Sequence, residues 1–225
     1  MALPTSKTAT TSWIRTSAAE RGAALADLLD LGDALPQGLR SHGAPSLVEK
    51  VLAVDQALAG AEVPHAIGGA IALAYYGEPR VTVDIDANVF VPADRWPEIA
   101  QALAALGIDV DLDERELARH KEARLPWDRN PVHLFFSEDA LHEAMPAAVR
   151  RVPFTRSTIP IVSPEHLIIR KAMLDRPKDW LDIETILAAG EPLDLEEVRT
   201  WLTRLAGRDD PRLTKLHGIV LRRGG

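Results

Sequence analysis

Two aspartates stand where a strand least favours them. In "RVTVDIDANV", residues 80 to 89, Asp84 and Asp86 alternate with Val83, Ile85 and Ala87, although Asp is among the poorest strand formers. Side chains along a strand alternate between its faces, so Thr82, Asp84, Asp86 and Asn88 share one face. Val81, Val83, Ile85, Ala87, Val89 and Val91 take the other, the face a core requires. Carboxylates two residues apart on a strand lie about 6.5–7 Å apart at the backbone and can converge on one ion. Without a cation between them they repel each other. Hard oxygen donors with open positions suit Mg²⁺, which takes one or two protein carboxylates together with substrate phosphates. The alternative is a solvent-facing strand whose polar side happens to be acidic.

A second feature precedes the aspartates by the length of one helix. Gly68 and Gly69 lie between a short strand at "PHAI" and a helix at "AIALAYY". Glycines there permit close approach of a phosphate, and the helix N-terminus offers free N–H groups. They would equally serve tight packing of strand on helix. Neither a Walker A loop nor a Rossmann fingerprint occurs. Further along, "SPEHLIIRKAML" opens with Ser163 as N-cap and Pro164 at the first helical position. On that helix Lys171 falls in the same stripe as Leu167 and Leu174. A lysine left unpaired among apolar neighbours is costly. A bound phosphate would satisfy it as a point-charge contact, or its stem would snorkel to water. Pro177 starts the next helix, where Asp179 lies in line with Ile183 and Ile186, and Asp182 shares an edge with Asp179.

The elements that position these residues fall into three sections. Residues 1–45 contain one helix, "SAAERGAALADLLDL", and a Gly/Pro-rich loop, "GDALPQGLRSHGAPS"; they read as an arm, with a disordered tail at the start. Leucines on one face of that helix require docking on the core or on a partner. Residues 46–162 read as an α/β core. It begins with a helix at "SLVEKVLAVDQALAGAEV" that Ser46 and Glu49 close with a capping box. Strands follow at "PHAI", "RVTVDIDANVFV" and "PVHLFF", with a helix at "RWPEIAQALAALG" ending at Gly107. Residues 163–225 read as a helical subdomain.

The chain has 225 residues, 46% hydrophobic, with a formal net charge of −7 and no cysteine. That balance argues against a general nucleic-acid-coating or membrane-surface protein. Disulfides and cysteine zinc sites are excluded, and no apolar run reaches the length of a membrane span. A soluble cytoplasmic protein is expected.

The combination of a Gly-Gly turn, a helix, "YGEPR" and hydrophobic-Asp-hydrophobic-Asp resembles the motif of the polymerase-β-like nucleotidyltransferase superfamily. "SPEHLIIRKAMLDRPKDWLDIETIL" is similar to the C-terminal signature of AbiEii-type minimal nucleotidyltransferases, in which a lysine and a later R-x-K-D-x-x-D segment complete the site. The resemblance spans roughly residues 60–190, with weak similarity between Val110 and Pro131. It implies a nucleotidyltransferase-like mixed sheet flanked by helices. It also implies Asp84 and Asp86 as metal ligands, Gly68 and Gly69 as the phosphate turn, Lys171 as the nucleotide-contacting lysine and Asp182 as the late acid. Arg80, which closes "YGEPR", and Lys178 of the R-x-K-D run join the nucleotide contacts. Relatives often carry a third acid where this chain has His133. An imidazole there is a candidate metal ligand or proton acceptor, the alternative being a hydrogen-bonded core histidine.

The activity implied is Mg²⁺-dependent transfer of a nucleoside monophosphate from an NTP, by a toxin-type enzyme acting on tRNA or another RNA and paired with a cognate antitoxin. Arg119, His120, Lys121, Arg124, Arg150, Arg151 and Arg156 are candidates for receiving such an acceptor. The alternatives are a nucleotidyltransferase acting on an aminoglycoside-like small molecule, which suits an acidic protein, or a non-catalytic nucleotide-binding module with a degenerate site.

Overall fold

A computed structural model describes residues 16–33 and 45–223. The expected N-terminal tail, most of the Gly/Pro-rich loop and the final Gly-Gly lie outside the described residues. The architecture is α/β: a six-stranded mixed sheet with ten α-helices among the described residues. The strands are β1 (His65–Ile67), β2 (Ile85–Val89), β3 (Glu122–Leu125), β4 (Val132–Phe136), β5 (Arg150–Phe154) and β6 (Ser157–Ile161). Across the sheet they run β3-β4-β2-β1-β6-β5. The central pairs β2–β4 and β1–β6 are parallel, while β1–β2, β3–β4 and β5–β6 are antiparallel.

The helices in the first half are α1 (Ala18–Asp33), α2 (Leu47–Gly60), α3 (Gly69–Tyr76), α4 (Trp96–Ala104), α5 (Glu114–His120) and the short α6 (Ala140–Ala144). From residue 164 onward the chain is helical, as expected, in α7 (Pro164–Leu174), α8 (Pro177–Ala188), α9 (Leu195–Ala206) and α10 (Pro211–Arg223). Helix α2 begins at the capping box, with the Ser46 hydroxyl and the Glu49 carboxylate each accepting from the other's backbone N–H.

One face of the sheet is closed and the other is working surface. Ile85, Ala87 and Val89 of β2 and Val132, Leu134 and Phe136 of β4 are fully buried, in one core with Val51 and Val54 of α2 and Ile99 and Leu103 of α4. Trp96 meets Phe136 edge-on, with ring centroids 6.4 Å apart. The alternate residues of the same strands line a cleft.

Two expectations need correction. Strand β2 begins only at Ile85, because nothing covers Val81 and Val83, which are exposed; Asp84 therefore precedes the ladder rather than sitting within it. Strand β3 occupies the stretch of weak similarity, and β5 pairs with β6 where no hairpin was foreseen. Helix α1 is built into the core over its described part. Its Leu25 and Leu29 are fully buried, and the Arg21 guanidinium donates to the Tyr75 carbonyl.

Behind the sheet, buried Lys50 of α2 donates to the Trp127 carbonyl, to Asp128 and to Asn130, at 3.0–3.2 Å. The Asn130 amide donates in turn to the Val83 carbonyl at 3.3 Å. The loop entering β4 is thereby fastened to the segment that carries Asp84.

No helix among the described residues is long and apolar enough to cross a membrane.

Candidate active site

The parallel pairing of β2 with β4 sets Asp86 directly beside His133. The antiparallel pairing of β4 with β3 sets Arg124 beside His133 and Glu122 beside Phe135. Alternation then turns Asp86, Asn88, His133, Phe135, Glu122 and Arg124 to one side, where they line a cleft of about 460 Å³. The cleft is completed by Gly68, Gly69, Arg80, Thr82 and Asp84, and from the helical half by Arg170, Lys171, Arg176, Lys178 and Asp179.

Gly69 shows why a glycine pair stands there. Its φ is +55°, and a Cβ would lie 1.8 Å from Asp86 Oδ2, so only a residue without a side chain lets the carboxylate occupy that space. At Gly68 a Cβ would meet Asn88 Nδ2 at 2.8 Å, and the Gly68 N–H donates to the Asp86 carbonyl at 2.8 Å. The turn and the aspartate strand are thus fitted to one another, and the N-terminus of α3 opens at the Asp86 carboxylate.

With no cation beside it, the Asp86 carboxyl titrates above the ordinary carboxylate range. Burial is the main cause; His133 opposes it, the neighbouring Asp84 adds to it, and Lys171 and Arg80 oppose it more weakly. A half-buried acid next to a second acid is an arrangement that a divalent cation would relieve. Two carboxylates with room for phosphate oxygens form a donor set that fits Mg²⁺. Asp84 is partly exposed and accepts from Arg124 at 3.1 Å.

His133 faces the cleft and is not a core histidine. Its Nδ1 lies 3.8 Å from Asp86 Oδ1 and its Nε2 lies 3.5 Å from Glu122 Oε2. The metal set of Asp84, Asp86 and His133 is not drawn together, however. Among the described residues, the group of three whose ligand atoms all lie within 4.8 Å of one another is Glu138, Asp139 and His142. With Asp84 turned toward Arg124, His133 is better described as a bridge between Asp86 and Glu122 than as a third ligand. Glu122 escaped the sequence reading, yet the charged-apolar alternation of "KEARL" marks a strand with Glu122 and Arg124 on one side.

Across the cleft the expected lysine is in position but is not unpaired. Lys171 is only 4% exposed, and its Nζ donates to Asp182 Oδ2 at 2.5 Å, with Asp179 Oδ1 3.9 Å away. Arg80 adds three contacts of 3.3–3.4 Å to the same Asp182 carboxylate. Arg176 holds Asp179 through two contacts, at 2.6 and 3.2 Å. The buried acids of α8 therefore order three cations at the cleft wall: Arg80, Lys171 and Arg176. Lys178 is exposed and lines the same cleft.

The basic residues considered for an acceptor do not form one surface. Arg124 is at the cleft on edge strand β3, while Arg150 and Arg151 are on β5, the opposite edge. Five inter-strand steps make that about 24 Å. Arg119 and His120 pair with Glu116, Arg150 stacks on Tyr76, and Arg151 bonds Thr158.

No known family profile and no curated protein matches the chain. Among solved structures, the solution structure of the antibiotic-resistance factor ANT(2'')-Ia matches with a TM-score of 0.50 and 18% identity, over 78% of this chain and 97% of that one. A crystal structure of ANT(2'')-Ia with adenylyl-2''-tobramycin gives 0.42 and 16%, over 79% and 98%. A nucleotidyltransferase-like protein from Paracoccidioides brasiliensis gives 0.41 and 16%, over 77% and 92%. The fold of this chain is accordingly nucleotidyltransferase-like.

Proposed function

We propose that this protein transfers a nucleoside monophosphate from an NTP to an acceptor hydroxyl and releases pyrophosphate. The observation that carries the reading is the fit of Asp86 against Gly69, which sets a half-buried carboxylate beside a glycine turn at a helix N-terminus. In this reading residues 46–162 hold the cation and the reacting phosphate, and residues 163–225 contribute the cationic wall. The accessory arm assigned to residues 1–45 braces the core through its described helix, α1.

Asp84 and Asp86 would hold Mg²⁺, which, when bound, supplies charge neutralisation at the phosphates and activation of the attacking oxygen. The remaining work belongs to the chain. Gly68 and Gly69 leave the backbone open to a phosphate. Arg80, Lys171 and Arg176 stabilise the charge developing on the departing pyrophosphate, with Lys178 at the mouth. Asp179 and Asp182 keep those cations extended before substrate arrives. His133 is available to accept the acceptor's proton, with Glu122 stabilising the imidazolium that results. The acceptor oxygen bonds to the α-phosphorus as the bond to the pyrophosphate oxygen breaks. Beyond that proton transfer, positioning and electrostatics carry the catalysis.

Two acceptor classes remain within this reading. A toxin-type, cytoplasmic enzyme working on a tRNA end or another RNA, with a cognate antitoxin, is the first. The second is a small polyhydroxylated molecule bearing amines, and the division of basic residues between opposite sheet edges favours it, since a polyanion needs a continuous basic path. Radiolabelled NTP transfer would be assayed with bulk tRNA and with aminoglycosides. Labelling of either by the wild type, absent in Asp86→Asn, is expected. Binding of NTP with Mg²⁺ present but no transfer to either acceptor class would leave the non-catalytic nucleotide-binding module as the correct account.

A further inference from the structure

One group of titratable side chains has no part in the chemistry above. His142, on α6, is fully buried, and neither ring nitrogen has a hydrogen-bond partner. Buried polar atoms are almost always satisfied, and an exception calls for a missing water or ion. The nearest acceptors to Nδ1 are Asp139 Oδ1 at 3.5 Å and Glu138 Oε1 at 3.9 Å. The three ligand atoms lie within 4.8 Å of one another. For metal–ligand bonds of about 2.0–2.2 Å, a tetrahedral site has ligand-to-ligand edges of about 3.3–3.6 Å. The two distances from Nδ1, 3.5 and 3.9 Å, lie near that edge.

We propose that Glu138, Asp139 and His142 form a second cation site, separate from Asp84 and Asp86, that takes a borderline divalent transition ion such as Zn²⁺ in preference to Mg²⁺. One imidazole nitrogen with two carboxylates suits such an ion, whereas Mg²⁺ prefers an all-oxygen octahedron and retains its waters. Asp139 Oδ1 already caps α6 by accepting from the His142 N–H at 2.9 Å, which fixes the carboxylate beside the ring. Arg170 holds Glu138 at 3.1 Å and stacks over Phe135, linking this group to the wall of the cleft. A groove of about 220 Å³, lined in part by Glu138, Asp139 and Arg170, adjoins it and shares Glu122, Phe135 and Arg170 with the cleft. Three protein ligands leave a fourth position for water or for a group entering that groove.

The test uses the full-length chain, stripped with a chelator and then held in excess Mg²⁺ so that Asp84 and Asp86 are satisfied. Calorimetric titration with Zn²⁺ is expected to show one site per chain, unaltered in Asp86→Asn. Co²⁺ in its place should give the visible absorption of a tetrahedral ion. His142→Gln and Asp139→Asn should each weaken Zn²⁺ by about tenfold or more, at least the loss seen when a metal site's supporting residues are changed. Asp139→Asn keeps the cap oxygen and decides the matter if His142→Gln does not fold. Absence of Zn²⁺ binding in excess Mg²⁺, or Zn²⁺ binding that is lost in Asp86→Asn and intact in Asp139→Asn, would overturn the assignment. Both readings are independent of nucleotide transfer, so failure here leaves the proposed activity standing.

Discussion

Gly69→Ala is the sharpest test of how the cleft is built. An L-residue forced to φ +55° pays the left-handed penalty of about 1–2 kcal/mol. The new methyl would also lie 1.8 Å from Asp86 Oδ2 and 2.7 Å from its Cγ, so the carboxylate must leave its rotamer, adding about 0.5–1.5 kcal/mol. The sum, about 1.5–3.5 kcal/mol, corresponds in a protein of this size to a melting-temperature loss of about 3–14 °C. Because the displaced group is Asp86 itself, cation affinity should fall as well, by about tenfold or more. Gly68→Ala is the control. Its φ of −115° lies outside the left-handed region, and the one contact of the methyl under 3 Å is the Asn88 amide, at 2.8 Å, so little beyond a shift of that side chain is expected. Thermal melts and Mn²⁺ binding followed by electron paramagnetic resonance would be compared for both variants. A Gly69→Ala protein that melts within about 1 °C of wild type and binds Mn²⁺ normally would refute the claim that glycine makes room for the carboxylate.

Asp86→Asn should abolish nucleotidyl transfer and raise stability at neutral pH when metal is chelated. Burial lifts the folded-state value of the carboxyl above the ordinary 3.8, so between those two values the folded state binds more protons than the unfolded one. Stability contributed by this group therefore falls as pH rises through that window, and the slope should be missing from the difference between wild-type and Asp86→Asn melts. Lys171→Ala is expected to destabilise by about 3–5 kcal/mol, the loss typical of breaking a buried pair, and a Lys171→Met/Asp182→Leu double variant should recover much of it; strictly additive denaturation energies would argue against the pairing. Arg124→Ala removes an exposed partner of Asp84 and should change denaturant stability by no more than about 1 kcal/mol while tightening Mn²⁺ binding. Deletion of residues 1–40 uncovers the sites of Leu25 and Leu29, a loss of about 2–5 kcal/mol for each side chain, and light scattering should report aggregation; a monodisperse product would show that α1 is dispensable.

Residues that line the cleft were more legible than the strands that position them. Asp84 and Asp86 announce themselves by violating strand propensity, and Lys171 by violating a helical apolar stripe; both anomalies mark the cleft. Which partner a buried lysine takes is not a local property. Asp182 is 11 residues on in the chain, on a second helix, and meets Lys171 only after α7 and α8 pack. Two of the missed strands share one physical cause. Strands β3 ("EARL") and β5 ("RRVPF") lie at the two edges of the sheet, where charge and proline deter unwanted pairing and dilute the apolar pattern. The same dilution hid Glu122. The length of β2 was overestimated because Val81 and Val83 continue the alternation beyond the point where any neighbour covers them.

The place where β2 begins gives the cleft one fixed jaw and one compliant jaw. Asp86 is held by β4 on one side and by the glycine turn on the other. Asp84 lies one residue outside the ladder, restrained through the Asn130 bond to Val83 and by an exposed arginine. Ions of different radius would then be accommodated by movement at Asp84 while the reference position at Asp86 stays put. Substitution of Mn²⁺ or Ca²⁺ for Mg²⁺ should therefore shift the cation along one direction of the cleft, altering its distance to Arg124 and leaving its relation to Gly69 unchanged. Tolerance of several divalent ions, with turnover graded by radius, is the behaviour that such an asymmetric grip would confer.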